Sequence, residues 1–261
     1  MGSTAGEDLH VAVLGLGEAG GAIAADLVAL GVCVRGYDPV VAAPPGVVGT
    51  GSEAEAARGS ALVLSVNSAS AALDALRAGL AGTAPGCLWA DLNTASPTVK
   101  RRLGEVAAEA GVGFVDVSLM ASVPGRGLRT PMLASGAAAG RYAELLQALG
   151  ATVDVLDGPA GLAAERKLLR SVFYKGVAAA VVEALEAARA ADCEAWLRQH
   201  IADELTRADA ATLDRLVDGS HRHAVRRAAE MQAAADMLDD LAVPPLIATA
   251  SRDVLRRLSR P

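Results

Sequence analysis

Four polar side chains that could carry chemistry share one face of a long predicted helix in the second half of the chain. Lys167, Ser171, Tyr174 and Lys175 are spaced i, i+4, i+7 and i+8, which brings them to the same side of a helix. A lysine in a partly apolar cleft has its charged form disfavoured, so its pKa falls towards the range useful for proton transfer. We therefore predict an acid–base site on this face. The alternative is a set of surface residues whose charged ends extend into water.

Two loops at predicted strand ends carry further polar residues. Residues 91–97 follow a predicted strand, and open α/β sheets bind their ligands at the carboxyl ends of their strands. A second loop, within residues 116–131, contains Ser122, Arg126 and Arg129. Two arginines in a glycine-containing loop could bind a carboxylate or a phosphate in bidentate fashion. The alternative is that both arginines are solvated loop charges.

A glycine-rich turn follows the first predicted strand, residues 10–14. The turn consists of Gly15, Leu16, Gly17, Glu18, Ala19 and Gly20. A helix and a second apolar run come next, and that run ends in Asp38. In this arrangement the glycines allow a tight turn, a close approach of a pyrophosphate and close helix packing, while the helix N-terminus offers free N–H groups to the phosphates. The context predicts a dinucleotide site; the alternative is a glycine-rich turn that binds nothing.

The acidic residue at the end of the second strand bears on the choice of dinucleotide. Asp38 would accept hydrogen bonds from a free ribose 2′-hydroxyl and would repel a 2′-phosphate, so it favours NAD over NADP. Arg35 is near in sequence, but the alternation of side chains along a strand need not direct it to the ribose. Further cofactor contacts are expected from the ends of the next strands. The candidates there are Val66, Asn67, Asn93 and Thr94.

Strand and helix patterns alternate through residues 1–158, which predicts a Rossmann-type, doubly wound parallel sheet covered on both faces. Residues 159–261 are predicted to form an all-α C-terminal domain that begins with a long helix over residues 160–191. The fold class is therefore α/β followed by helices. Local signals also predict a capping box at Ser52 and Glu55, a short helix over residues 211–216, and a helix N-cap at Ser220.

The predicted C-terminal helices carry more apolar surface than one chain can cover. Apolar residues of the long helix occupy more than one stripe, and Leu213, Leu216 and Met237 add to them in the tail. Exposed apolar surface costs about 25 cal/mol per Å². We therefore expect a homodimer that associates through the C-terminal helices, because two-fold dimers are the commonest solution.

Four stretches taken together resemble the 3-hydroxyisobutyrate and 6-phosphogluconate dehydrogenase superfamily, the β-hydroxyacid dehydrogenases. In chain order they are Gly15-Leu16-Gly17-Glu18-Ala19-Gly20, Asp91-Leu92-Asn93-Thr94-Ala95-Ser96-Pro97, Phe114-Val115-Asp116, and Gly161 followed by Lys167. The resemblance implies NAD(P)-dependent hydride transfer between nicotinamide and the hydroxyl or carbonyl carbon of a small, carboxylate-bearing substrate of the 3-hydroxy-acid type. It implies that Lys167 is the general acid/base, with Ser171 as a second catalytic candidate. The candidates for substrate contact are Ser122, Arg126, Arg129, Tyr174 and Lys175.

The chain departs from this family's pattern at two substrate positions. The family's Ser-Gly-Gly aligns with Met120-Ala121-Ser122, and its Asn four residues after the lysine is replaced by Ser171. The C-terminal part resembles a less-studied subgroup with a short helical domain, so the substrate does not carry over. An imine reductase on the same fold is one alternative, although enzymes of that kind usually carry a different residue where Lys167 stands. A non-catalytic dinucleotide-binding protein is another, and it would need no lysine.

Composition and charge argue against several other classes. The net charge of −6 and the pI of about 5.3 disfavour a nucleic-acid or membrane-surface partner. The cysteines form no CxxC pair, the first eight residues lack a secretory signal, and no apolar stretch could cross a bilayer, so we expect a cytoplasmic protein. His221 and His223 face different sides of a helix, so no metal site is expected. The basic residues around them would pair with acids of the tail or reach an active site across a dimer.

Overall fold

The structure is a computed structural model that describes residues 9–260, so the predicted absence of a secretory signal in residues 1–8 lies outside the described residues. Within that range the strands are β1 (His10–Leu14), β2 (Cys33–Tyr37), β3 (Val48–Gly49), β4 (Leu62–Ser65), β5 (Leu88–Asp91), β6 (Gly113–Leu119), β7 (Met132–Ser135) and β8 (Val153–Val155). They form one sheet in the order β3-β2-β1-β4-β5-β6-β7-β8. From β1 the first strands are added on one side of the sheet, as β2 and β3, and the later strands on the other side, starting with β4. The position between β1 and β4 is the switch point beside which such folds bind nucleotides.

The helices of the described region fall into two sets. Those that alternate with the strands are α1 (Glu18–Ala29), α2 (Glu53–Ala57), α3 (Ala72–Leu80), α4 (Pro97–Glu109) and α5 (Ala139–Ala148). Those that follow the sheet are α6 (Leu162–Ala190), α7 (Glu194–Arg207), α8 (Ala210–Arg222), α9 (Ala224–Asp240) and α10 (Leu246–Leu258). The predicted fold class, a Rossmann-type sheet followed by helices, is confirmed.

Two strands, β7 and β8, correct the prediction of an all-parallel sheet. β7 pairs antiparallel to β6, whereas β7 and β8 are parallel to each other. A parallel connection needs a crossover, usually an α-helix. The segment between β6 and β7 contains only a single 3₁₀ turn, Gly127–Arg129, so the chain folds directly back beside β6. Val123 and Leu128 of this segment are buried in the core beside α1, where they help to cover the sheet.

Both faces of the sheet are covered by apolar side chains. Ile23 and Leu27 of α1 and Tyr142 and Leu146 of α5 pack on one face. Residues of α2, α3 and α4 pack on the other face, where the large buried side chains include Leu76 of α3, Leu103 of α4 and Trp89 of the strand β5 itself. Because β1 to β6 are parallel to one another, their carboxyl ends lie at one common edge of the sheet.

The predicted N-cap at Ser52 is confirmed, whereas the capping-box role of Glu55, the short helix 211–216 and the N-cap at Ser220 are corrected. Ser52 caps α2 by accepting a hydrogen bond from the Glu55 N–H, but the Glu55 carboxylate accepts from the Gly51 N–H instead of from Ser52. The predicted short helix 211–216 and N-cap at Ser220 merge into α8, which continues to Arg222. The Ser220 hydroxyl donates to the carbonyl of Leu216 one turn earlier, a bond that lets a serine sit inside a helix.

The chain divides into two compact units between Arg170 and Ser171, inside α6. In the second unit α10 packs along α9, and its N-terminus is bound by Glu183 of α6, which accepts hydrogen bonds from the N–H groups of Ile247 and Ala248 at 2.7 and 2.8 Å. A carboxylate at a helix N-terminus is favoured by the helix dipole. No helix in the described part of the chain is long and apolar enough to span a membrane.

Candidate active site

The glycine-rich turn has the backbone geometry of a phosphate cradle. Gly15 has a positive φ of 92°, and a Cβ on Gly20 would lie only 1.8 Å from the Gly15 carbonyl oxygen. A Cβ on Gly17 would meet nothing within 4 Å, so this glycine faces open space. Gly17 is also the N-cap of α1 and gives no side-chain bond to the first N–H groups of that helix. The first and third glycines therefore close the turn, and the second leaves room for a phosphate group.

Asp38 ties the end of β2 to this turn. One carboxylate oxygen accepts a hydrogen bond from the Leu16 N–H at 2.8 Å, and the other accepts from the N–H groups of Val40 and Val41, both at 2.9 Å. Partial burial raises the pKa of Asp38, but the three backbone donors outweigh it and hold the pKa below its ordinary value. Asp38 is therefore charged at neutral pH, beside the turn.

A cavity of about 180 Å³ lies between the turn and the ends of β2 and β4. Gly15, Asp38 and Asn67 line it, and its other charged lining residues are Glu53 and Asp74. The side chain of Arg35 donates instead to the carbonyl oxygen of Arg58. The walls of the cavity are therefore acidic, which suits the free hydroxyls of a ribose and disfavours a 2′-phosphate.

An asparagine pair joins the ends of β4 and β5 at the same edge of the sheet. The amide nitrogen of Asn93 donates to Asn67 Oδ1 and to Asp91 Oδ2, each at 2.7 Å. The carbonyl oxygen Oδ1 of Asn93 is buried and lacks a hydrogen-bond partner among the described groups. A buried acceptor of this kind needs a donor, and a hydroxyl or amide of a bound nucleotide can supply it. The residues at this edge thus fit a dinucleotide.

Lys167 meets the loop that follows β5. Its Nζ donates a hydrogen bond to Thr94 Oγ1 at 2.9 Å. Lys167 is half-buried in the first turns of α6, and Thr94 is exposed. The predicted acid–base helix and the predicted strand-end loop are therefore in direct contact, beside the asparagine pair. An amine and a hydroxyl at this distance can share a proton with one oxygen of a bound molecule.

A buried lysine behind this pair was missed by the sequence reasoning. Lys100 Nζ lies 2.6 Å from Asp91 Oδ1 and 3.2 Å from Asp116 Oδ1, and all three side chains are fully buried. The signal was present in the helix pattern, because Lys100 shares the apolar stripe of α4 with Leu103 and Ala107. A charged residue on the buried stripe of a helix requires buried partners.

Several predicted substrate residues lie on the loop between β6 and β7. Ser122 is exposed a few residues beyond the end of β6; Arg126 precedes the 3₁₀ turn, Arg129 is its last residue, and both arginines are exposed. The Leu128 N–H donates to Asp26 of α1 at 2.8 Å, so this turn is held against the flank of that helix. Asp26 lies two turns beyond Glu18, where α1 starts. The loop that carries both arginines therefore lies beside α1. Among the described residues, no hydrogen bond or ion pair connects either arginine to Thr94.

The remaining candidates lie further along α6, in the second unit. Ser171 is half-buried, Tyr174 and Lys175 are exposed, and the Tyr174 ring makes an edge contact with Phe173. In the described residues no group of three or more His, Cys, Asp or Glu side chains could hold a metal ion. Ser171, Tyr174 and Lys175 follow Lys167 on the same helix, as their spacing predicts.

Comparisons with known proteins agree with this geometry. The NAD binding domain of 6-phosphogluconate dehydrogenase matches residues 10–158, and a domain of unknown function, DUF1932, matches residues 188–258. An NAD-dependent L-serine dehydrogenase from Pseudomonas aeruginosa is 30% identical over 125 residues, which are 44% of this chain and 42% of that protein. The match thus spans less than half the length of this curated relative.

Two solved structures cover almost the whole chain. The conserved protein MTH1747, of unknown function and described as similar in structure to 3-hydroxyacid dehydrogenases, is 27% identical with a TM-score of 0.62, over 96% of this chain and 98% of its own. An imine reductase from Streptomyces aurantiacus has a TM-score of 0.80 over 95% of this chain and 93% of its own, but its identity of 19% shows the fold alone. On the match to residues 10–158, the chain belongs to the family defined by the NAD binding domain of 6-phosphogluconate dehydrogenase.

Proposed function

We propose that the protein is an NAD(P)-dependent oxidoreductase that moves a hydride between nicotinamide and the hydroxyl or carbonyl carbon of a small, carboxylate-bearing substrate of the 3-hydroxy-acid type. The observation that carries the proposal is the hydrogen bond from Lys167 Nζ to Thr94 Oγ1 at 2.9 Å. An amine therefore lies next to the loop after β5, within the stretch that matches the NAD binding domain of 6-phosphogluconate dehydrogenase. The relative from Pseudomonas aeruginosa, an L-serine dehydrogenase, supports a 3-hydroxy acid as the substrate class.

In this proposal each residue acts on a stated atom. Lys167 Nζ takes the proton of the substrate hydroxyl in oxidation and returns it to the carbonyl oxygen in reduction. Thr94 Oγ1 accepts a hydrogen bond from the amine and holds it in place. Ser171, one helical turn after Lys167, is the second hydrogen-bond donor to the substrate oxygen. The bound dinucleotide supplies the hydride acceptor or donor. Ser122, Arg126, Arg129, Tyr174 and Lys175 are the candidates for holding the rest of the substrate.

We also propose that NAD is the preferred dinucleotide. Asp38, Glu53 and Asp74 surround the cavity beside the glycine-rich turn. A 2′-phosphate there would meet three carboxylates, whereas a ribose diol would find acceptors. The position of Arg35 supports the same preference. Its guanidinium donates a hydrogen bond to the carbonyl of Arg58 and is not among the residues that line the cavity, so it does not offset the carboxylates there.

The second unit supports a homodimer through the C-terminal helices as its assembled form. Neither α7 nor α8 contains a buried residue among those described. Leu213, Leu216 and Val217 recur on one face of α8 and are all exposed, by 60%, 58% and 50%. Trp196 and Met237 are exposed beside an apolar groove of about 500 Å³ lined by α6, α7, α9 and α10. Soluble monomers rarely expose apolar surface on this scale, and a second copy related by a two-fold axis is its simplest cover.

Imine reduction is the second candidate, because the imine reductase of Streptomyces aurantiacus shows that the same fold can carry it. The two chemistries differ in the proton that must be delivered, because a carbonyl reduction needs a donor to oxygen and an imine reduction needs one to nitrogen. Lys167 beside Thr94 suits the oxygen, since the pair offers one basic amine and one hydroxyl.

One activity panel separates these functions. The full chain is assayed with NAD⁺ and NADP⁺ against 3-hydroxy acids, L-serine among them, and with the reduced cofactors against keto acids and cyclic imines. We expect turnover of at least one 3-hydroxy acid, with NAD⁺ preferred, and none of the imines. Turnover of imines alone would replace the proposed function with the second candidate. Tight dinucleotide binding without turnover of any substrate would favour a non-catalytic binding protein.

A further inference from the structure

Two buried carboxylates lie side by side where β5 and β6 end. Asp91 and Asp116 are register partners on these neighbouring parallel strands, and neither side chain is exposed to solvent. Two like charges so close in a dry interior repel each other strongly unless a cation lies between them. Lys100 of α4 supplies that cation, and its Nζ also donates to the main-chain carbonyl of Asp91 at 2.6 Å.

Asp116 holds the start of α6, the helix that carries Lys167. Its Oδ2 accepts hydrogen bonds from the N–H groups of Gly161 and Ala164 at 2.9 and 3.0 Å. Ser135 completes the cap, because its hydroxyl donates to Asp116 Oδ2 at 3.1 Å and accepts from the Ala163 N–H at 3.0 Å. The first turn of α6 is therefore attached to β6 and β7. Since Lys167 begins the next turn, its position depends on this attachment.

Asp91 holds the loop that carries Thr94, the residue to which Lys167 is hydrogen-bonded. Its Oδ2 accepts a hydrogen bond from the Asn93 amide at 2.7 Å, and Thr94 is the next residue of that loop. Lys100 therefore contacts both carboxylates that position the pair, one on the side of Thr94 and one on the side of Lys167.

We propose that Lys100 is a positioning residue that sets the distance between Lys167 and Thr94 by bridging Asp91 and Asp116. This inference rests on the proposed function only for its kinetic consequence; the geometric consequence stands without it. When the bridge is lost, the two carboxylates are no longer held together, and the first turn of α6 and the loop after β5 move apart. Displacements of about 1 Å at a reacting centre can cost on the order of 10² in rate.

The test uses the full chain and three variants. Lys100→Met removes the bridge but keeps the side-chain volume. Lys100→Met combined with Asp91→Asn also removes one carboxylate, so it restores the net charge of the buried cluster and guards against simple loss of folding. Arg102→Met, on the same helix but exposed and paired with Glu105, is the matched control. Thermal unfolding and NAD titration establish that each variant is folded and binds its cofactor.

The deciding measurement is the rate at which Lys167 is chemically acetylated, mapped by mass spectrometry across a pH series. We expect faster labelling of Lys167 in both Lys100 variants, because its hydrogen bond to Thr94 is weakened, and no change in Arg102→Met. Where a substrate is turned over, kcat falls by about tenfold or more while NAD affinity is unchanged. Unchanged labelling in a folded Lys100 variant, or failure of the charge-balanced double variant to fold, overturns the positioning role. If the proposed function is wrong, the unaltered chain turns over no substrate. The labelling of Lys167 needs no turnover, so it still tests the positioning role.

Discussion

Lys167 Nζ and Thr94 Oγ1 are joined by a hydrogen bond of 2.9 Å, although 73 residues separate them in the chain. The bond connects the first turns of α6 to the loop that follows β5. Both residues stand at one edge of the sheet, next to Asn93 and Asn67. Through this contact the fold brings the acid–base candidate to the edge of the sheet where we propose that the dinucleotide binds.

Removing the hydroxyl of Thr94 should slow catalysis without abolishing it. Thr94→Val keeps the shape of the side chain but leaves Lys167 without this acceptor, and such a bond contributes about 1 kcal/mol, or roughly fivefold in rate. We expect a lower kcat, measured at saturating NAD because Thr94 is also a candidate cofactor contact. Thr94→Ser keeps the hydroxyl and serves as the control. Equal kcat values for the Val variant and the unaltered chain would show that the contact plays no part in turnover.

The choice of dinucleotide should depend on the acidic cavity. NADH is expected to bind more tightly than NADPH, and Asp74→Asn should narrow the difference in affinity because it removes one of the negative charges that line the cavity. Fluorescence titration of both cofactors measures this. Arg102→Met, whose site lies on exposed α4 surface, should leave the ratio as it is. Tighter binding of NADPH by the unaltered chain would contradict the assignment of NAD.

Asp38 should give the turn a dependence on pH. Partial burial raises its pKa, but three backbone N–H donors lower it below the ordinary value, so the carboxylate is stabilised more in the folded than in the unfolded chain. Its contribution to stability is therefore complete above the unfolded pKa of about 3.9 and is lost as the pH falls through the lower folded value. Thermal unfolding of Asp38→Asn should start below that of the unaltered chain at neutral pH. The gap should close in acid; a gap that is constant with pH would contradict this account.

The exposed face of α8 should be part of a dimer interface. Leu213→Asp places a charge among Leu216 and Val217 and should convert a dimer into monomer or aggregate, as measured by sedimentation at low micromolar concentration. Arg215→Asp introduces the same charge at a polar position of the same helix and should leave the dimer intact. If the unaltered chain sediments as a stable folded monomer at that concentration, the proposed dimer is wrong.

The parts of the fold that local rules determine were predictable. Gly15, Gly17 and Gly20 mark a turn whose geometry admits few other residues, and the helical spacing of Lys167 predicts the face that it occupies. The antiparallel β7 was not predictable from strand patterns, because its direction depends on the missing crossover helix. Lys100 was missed for a different reason. Its buried partners, Asp91 and Asp116, lie on β5 and β6, so its role depends on tertiary contacts. The only local signal was a charged residue on the apolar stripe of α4.

The most direct test of the central claim is the kinetics of Lys167→Ala on a substrate found by the activity panel. General acid/base catalysis contributes about 10²–10⁴ in rate, so kcat should fall by that factor while the affinity for NAD stays the same. Arg166→Ala, one residue earlier and exposed beside Glu165, should retain full activity. A Lys167→Ala variant that keeps more than about a tenth of the original kcat would contradict the assignment of Lys167 as the acid/base.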